Sequence, residues 1–374
     1  MREAQEVTHG GRAVLTALLV CLLVLVAAAN DRFVLAQKSG GAPDAAALLD
    51  RYAAGEHSAV ARELAAVRDF EALRKGLEKL LPGWTTAAGA SERPRRTITA
   101  ASLLLEVTHA GLETDWIQLK ALIELGCRML RADPAPSEVE RLWMLASIAL
   151  GGGGRDAAFL IGGPDAVTRI APVVDHLNHA RRRFPGESRV SLAAAMAEEI
   201  RAAGEPSRDR TRASSQIEQL QAVTRRNTIQ RFVKVAGIPA VAAEAEMHIG
   251  YLWFQFRNGG EALKHLKVAH ERSTDPYVTY LAHFFAGRVL LEEKRVVLAE
   301  AAFRNALATL PGTQSASEAL AALLFVDGRR DEAYALIETS YNQRPLPPDP
   351  WRLYGYGDYR RWPALILQLR EAIK

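Results

Sequence analysis

The sequence predicts an all-α chain: a solenoid of antiparallel helix pairs with a C-terminal capping helix. Three observations carry that expectation. One apolar skeleton recurs three times between Gly250 and Pro345: a small residue, a larger apolar one three places on, alanine at twelve, a bulky apolar residue at sixteen and a small one at nineteen. The copies read Gly250, Trp253, Ala262, Leu266, Ala269; then Gly287, Leu290, Ala299, Phe303, Ala306, Pro311; then Ala321, Leu324, Ala333, Ile337, Ser340, Pro345. Alanine and leucine abound while β-branched alternation is scarce, which favours helix over strand. Glycine- and proline-bearing breaks cut the chain into helix-length stretches.

The length of 374 residues suits two globular domains or one longer solenoid. A net charge of +4, with 24% charged residues of mixed sign, describes a soluble surface and points to no nucleic-acid partner. There are two cysteines, so no disulfide framework is expected, and Cys127 reads as a small buried apolar residue.

Residues 1–36 read as a signal peptide or an N-terminal membrane anchor. Arg2 and Arg12 precede an uncharged run from Ala13 to Ala29. Its 17 residues exceed the usual signal-peptide core of about 7–15 and reach the lower edge of the roughly 17–25 that span a bilayer. Ala27, Ala28 and Ala29 offer a cleavage site, and cleavage is the preferred reading; an uncleaved run would contact the membrane. Cys21 is a poor lipid acceptor, because Val20 before it is not small.

Residues 44–134 form a divergent helical-hairpin region. Asp44 looks like the N-cap of a helix to about Ala54, and a second helix is expected from Ser58 to Leu81, stopped by Pro82-Gly83. Residues 84–96 read as a loop, with Arg93, Arg95 and Arg96 solvated. A further pair follows over 97–110 and 113–132, with Trp116, Leu119, Leu122 and Ile123 on one apolar face. Residues 135–236 hold repeat-like helices with a glycine-rich insertion at 151–164; Leu177, Ala180 and Pro185 repeat the offsets of Phe303, Ala306 and Pro311. Beyond Pro345, residues 346–374 are expected to cap the open core, with Trp351, Tyr354, Tyr356, Tyr359 and Trp362 leading into a final helix.

Gly287 and Ala321 lie 34 residues apart, the period of tetratricopeptide (TPR) repeats, which the chain resembles over 240–345. The resemblance implies two antiparallel helices per repeat. Gly250, Gly287 and Ala321 then meet Ala262, Ala299 and Ala333 closely, while Leu266, Phe303 and Ile337 fill the gap to the next repeat. It also implies a concave groove that binds a protein or peptide partner. Carried over by register, the groove residues are Glu244, Met247, Tyr251, Phe254 and Gln255 in the first repeat; Leu281, Phe284, Arg288, Leu291 and Glu292 in the second; and Ser315, Glu318, Ala322, Phe325 and Val326 in the third. The two-carboxylate clamp of the chaperone-binding subfamily wants lysine and asparagine where this chain has Met247, Tyr251, Phe284 and Arg288. A chaperone tail is therefore not expected, and an apolar or mixed peptide suits the groove better.

No catalytic constellation emerges. His176 and His179 lie near Asp175, but the His-Glu-x-x-His pattern is absent and no metal is expected; they read as a solvated helix face. Glu198-Glu199 and Glu292-Glu293 read as surface charge. The glycine runs lack a following Gly-Lys-Ser/Thr and a preceding strand, so they cradle no phosphate. No cofactor is implied. The function expected is a non-enzymatic scaffold for protein–protein interaction in the cell envelope. A ligand- or glycan-binding accessory, with a pocket between the insertion and the C-terminal aromatics, and a structural subunit of a membrane-associated complex stay open beside it.

Overall fold

The computed structural model describes residues 43–86, 93–110, 125–126, 129–130, 137–152, 171–203, 214–344, 346–354 and 359–374. Among them are sixteen α-helices and no strand, arranged as a TPR-like solenoid of antiparallel pairs. The run 13–29, Cys127, the Trp116 face, residues 153–164 of the insertion, Pro345 and Tyr356 lie outside the described residues. Among the described residues no helix is long and apolar enough to cross a membrane.

The chain opens on a helical bundle: α1 (Ala45–Ala53), α2 (His57–Leu64), α3 (Phe70–Thr86), α4 (Arg93–Ala110) and α5 (Ser137–Ser147), the last continuing as a π-turn over Ile148–Gly152. Asp44 caps α1 as expected, its Oδ1 accepting from Ala46 N at 3.0 Å. The single helix expected from 58 to 81 is two, because Asp69 accepts from Ala72 N at 2.9 Å and starts α3 afresh. Pro82-Gly83 does not stop α3. A proline forfeits one ladder bond, and the buried face of Phe70, Leu73 and Leu77 holds the rest of the helix. Residues 93–96 are likewise helix rather than loop: they begin α4, and Arg95 donates to the carbonyls of Ile373 and Lys374 at 3.2 and 2.5 Å.

The pairs continue through α6 (Ala171–Arg183), α7 (Ser188–Ala203) and α8 (Ser214–Ala236), each packed on the next. A small core of Leu192, Ile229, Phe232, Val241, Ala245 and Leu252 carries the stack from α7 across α8 into the repeats. The three repeats are α9/α10 (Ala242–Gln255, Gly259–Arg272), α11/α12 (Pro276–Glu292, Val296–Thr309) and α13/α14 (Gln314–Val326, Arg330–Asn342). The two helices of a repeat meet closely at the glycines as expected, but the nearest side chains there are Leu266 and Phe303 of the same hairpin rather than Ala262 and Ala299. A Cβ on Gly250 would stand 2.6 Å from Leu266 Cγ, and one on Gly287 2.6 Å from the Phe303 ring, so only glycine admits those side chains. Ala262, Ala299 and Ala333 are buried opposite. Pro276 starts α11: it occupies the first turn behind the Asp275 cap, where its missing N–H costs nothing.

After α14 the chain doubles back through a short helix, α15 (Pro350–Leu353), to the last helix, α16 (Trp362–Ala372). α16 packs along α5 and buries Trp362, Ile366 and Leu369 in the core of the N-terminal bundle. The capping helix therefore covers the first helices of the chain, and Tyr334 on α14 stays 62% exposed.

Candidate functional site

Helices α9, α11 and α13 line one face of the repeats, and the returning segment lies across it. The groove expected from the sequence is thus occupied by the chain itself. Tyr251, Phe254 and Phe284 are buried beneath that segment, Met247 is buried in the repeat core, and Glu244 is buried against Arg360. Gln255 and Arg288 are half-buried, and Leu291 is 42% exposed at the end of α11. An open apolar groove at these positions is not what forms, because Trp351 and Tyr354 hide the same aromatic surface from water.

The aromatic rings meet in favourable offset and edge-on pairs. Tyr251 stacks on Phe285 with centroids 4.5 Å apart and meets Tyr354 at 5.3 Å. Trp351 stands edge-on to Phe285 at 5.3 Å and lies 5.9 Å from Phe284. The Arg288 guanidinium sits between two rings, 5.2 Å from the centroid of Phe254 and 5.5 Å from that of Trp351. Trp362, expected in the same cluster, belongs instead to the N-terminal core.

Three polar contacts fasten the segment. The Tyr354 hydroxyl donates to Glu199 Oε1 at 2.8 Å, and His248 Nδ1 lies 2.7 Å from Glu199 Oε2 and 2.6 Å from the tyrosine oxygen. The carboxylate selects the Nδ1–H tautomer of His248, whose ring stacks on Phe232 at 4.8 Å. The Arg360 guanidinium bonds Glu244 at 3.1 Å and Asp275, and lies 3.8 Å above the Tyr277 ring. Asp349 Oδ2 accepts from Ser315 N, in the first turn of α13, at 2.6 Å.

Two expectations are corrected here. Glu199 is not surface charge: it is 5% exposed and holds His248 and Tyr354, which are 2% and 6% exposed. His176 is not on a solvated face. It is buried, with Nε2 2.5 Å from Ser147 Oγ and its ring edge-on to Trp143, while His179 reaches Glu140 at 3.3 Å. Among the described residues no cluster of histidines, cysteines and carboxylates has the makings of a metal site. Glu199, His248 and Tyr354 combine an acid, a base and a hydroxyl, but all three are closed from solvent, so the arrangement holds a segment in place and offers no reachable substrate position. Glu199 read as surface charge, and its pairing with His248 went unread, because neither residue belongs to a motif. Their only sequence signal is a carboxylate and a histidine on helices otherwise rich in small and apolar residues.

Neither a family model nor a curated protein matches the chain. Among solved structures, the crystal structure of MamA is 15% identical, with 47% of this chain and 90% of that one covered at a TM-score of 0.34. The apo form of RapI is 13% identical over 64% and 81%, at a TM-score of 0.40. The assembly chaperone of RpL4, Acl4, is 18% identical over 87% and 98%, at a TM-score of 0.32. With scores below 0.5, the fold rests on the helix pairs themselves.

Proposed function

We propose that this chain is a non-enzymatic scaffold of the cell envelope that holds a protein partner by a segment laid across α9, α11 and α13. One observation carries the reading: that face already holds a proline-rich segment of the chain, through stacked aromatic rings and hydrogen-bonded charges. A helical repeat presents side chains in rows that an extended peptide can meet in series. The leader-like run from Ala13 to Ala29 supports the envelope location, through export or a retained anchor. The pocket reading for a glycan draws less support, since the rings of Tyr251, Phe285, Trp351 and Tyr354 are spent on one another.

The reading is tested by placing a photo-crosslinking residue at Leu291, exposed at the edge of this face, and at Arg304 on the second helix of the same repeat. In native envelopes the Leu291 position is expected to trap a polypeptide and the Arg304 position none. Crosslinks from Arg304 alone would move the site to the opposite face.

A further inference from the structure

The described residues 346–354 cross the repeats as a strap, held at one end by α14 and beyond the other by α16. Three side chains meet the repeats in order. The Asp349 carboxylate accepts from Trp351 N at 3.0 Å and from Ser315 N at 2.6 Å, so it caps α15 and also α13, whose own cap residue Thr313 makes no side-chain capping bond and turns its hydroxyl to Leu310 O instead. Trp351 lies against Phe284 and Phe285 and over Arg288. Tyr354 gives its hydroxyl to Glu199. Past the strap, Arg360 adds an ionic hold on Glu244 and Asp275.

Two features set this contact apart from ordinary core. Beside the aromatic rings, the strap and Arg360 meet polar receiving groups: the α13 N-terminus, Glu199 with His248, and Glu244 with Asp275. Buried ion pairs and their bonds gain little over apolar residues of equal volume, but they are exacting about what fits. Arg288, in turn, is held only between two rings. It has five N–H donors and no carboxylate or carbonyl partner among the described residues. A ligand bringing an acceptor to Arg288 makes a bond that the strap does not, which gives it a means of displacing a segment tethered in place.

We propose that residues 346–354 are a displaceable strap, and that the surface beneath takes from a protein partner a segment of the same order. That segment carries a carboxylate, an aromatic residue two places on and a tyrosine three places further. The inference rests on the scaffold reading above and adds the partner's chemistry and its competition with the strap.

The test titrates a fluorescein-labelled peptide of residues 346–354 into the full chain, wild type and Trp351→Ala/Tyr354→Ala. A strap that occupies the site lowers apparent affinity by the fraction of chains left open. The double variant is therefore expected to bind the peptide at least about tenfold more tightly than wild type. A peptide with alanine at its Trp and Tyr positions is expected not to compete, and adding Arg288→Ala to the double variant is expected to weaken binding. Equal binding to both chains, or binding to neither, overturns the proposal. Should the double variant lose its helical circular dichroism, Arg360→Ala, which loosens the ionic hold outside the strap, takes its place. A rise of about threefold is then expected, and no rise overturns the proposal. Crosslinking at Leu291 separates the two failures: persisting crosslinks with no peptide binding leave the scaffold standing and remove the strap, whereas loss of both removes both.

Discussion

The guanidinium of Arg370, in the last helix, lies 2.7 Å from the carboxylate of Glu106 in α4, and the Tyr52 hydroxyl donates to the same carboxylate at 3.3 Å. Glu106 is only 3% exposed. Burial works against the Arg370 charge, but the hydrogen bond and charge of Glu106 outweigh it and raise the arginine's pKa; burial also pushes the Tyr52 hydroxyl up. This pair ties the end of the chain to its beginning. Removing one partner strands the other, so Arg370→Leu is expected to cost about 3–5 kcal/mol. Arg370→Leu combined with Glu106→Leu is expected to recover most of that loss, since a buried pair gains little over apolar replacements. Denaturant unfolding of the single and double variants checks this. A double variant no more stable than the single would show that Glu106 is not left uncompensated.

The turn between the two helices of each repeat repeats to the residue. Arg257, Lys294 and Gly328 occupy the same position with φ of 56°, 59° and 83°. Each closes its helix with paired bonds, such as Lys294 N to Leu291 O at 3.0 Å and Arg295 N to Leu290 O at 2.8 Å, the Schellman arrangement. Only the third repeat uses the residue suited to this backbone. Relief of roughly 1–2 kcal/mol of left-handed strain is set against about 0.4–1 kcal/mol for the greater freedom of glycine in the unfolded chain. Lys294→Gly is therefore expected to stabilise the protein by about 0.5–1 kcal/mol. Thermal melts decide; a lowered midpoint would mean that the lysine side chain contributes more than its exposed position suggests.

These repeats were legible because their defining contacts are local. Gly287 meets Phe303 sixteen positions later in the same hairpin, so one period in the sequence encodes the contact. The caps at Asp44 and Asp69 are legible in the same way, although only the first was read; a proline and glycine at 82–83 drew the helix boundary to the wrong place. The strap is different. Tyr354 meets Glu199 155 positions away with no period linking the pair, and Asp349 meets Ser315 one repeat length of 34 positions earlier, but past the last copy of the apolar skeleton. The C-terminal aromatics were visible as a cluster, but composition does not say that Trp351 turns to the repeats and Trp362 to the N-terminal core. Glu199 was misplaced for a related reason, since α7 carries small residues on several faces and does not reveal which is buried, and His176 because its partners Ser147 and Trp143 lie on a distant stretch of chain.

Gly287 gives a prediction in which two effects compete. Alanine in a helix interior gains roughly 0.5–1 kcal/mol over glycine. At this position its Cβ would lie 2.6, 2.7 and 2.9 Å from three atoms of the Phe303 ring, which is fully buried and has nowhere to move. Overpacking of this kind costs about 1–3 kcal/mol, so the clash wins and Gly287→Ala is expected to destabilise by about 1–2 kcal/mol. Gly186→Ala, in the turn between α6 and α7 with nothing within 4 Å of the added carbon, is the control for an added methyl without a clash. Equal unfolding midpoints for the two variants would mean that the helices of the second repeat separate more easily than their packing implies.

His283 on α11 stacks against His270 on α10, with ring centroids 4.7 Å apart. Burial, followed by the charge of His270, lowers the His283 pKa to about 4. Its unfolded value is near 6.5, so between these two values the unfolded chain binds the extra proton. Stability therefore rises with pH across that window and is lost as pH falls from about 6.5 towards 4. His57 and His109 are shifted down as well, by burial and then by Arg370, and act in the same direction. Glu71 enters lower: Arg74 and Lys75 hold its pKa at about 2, so its contribution is lost only as pH falls below the ordinary carboxylate range. His283→Gln is expected to remove on the order of 1 kcal/mol of the loss between pH 6.5 and 4.5 and leave the rest. Urea midpoints measured across that range check it. An unchanged slope in the variant would assign the acid sensitivity to the histidines beside Arg370 rather than to the stacked pair.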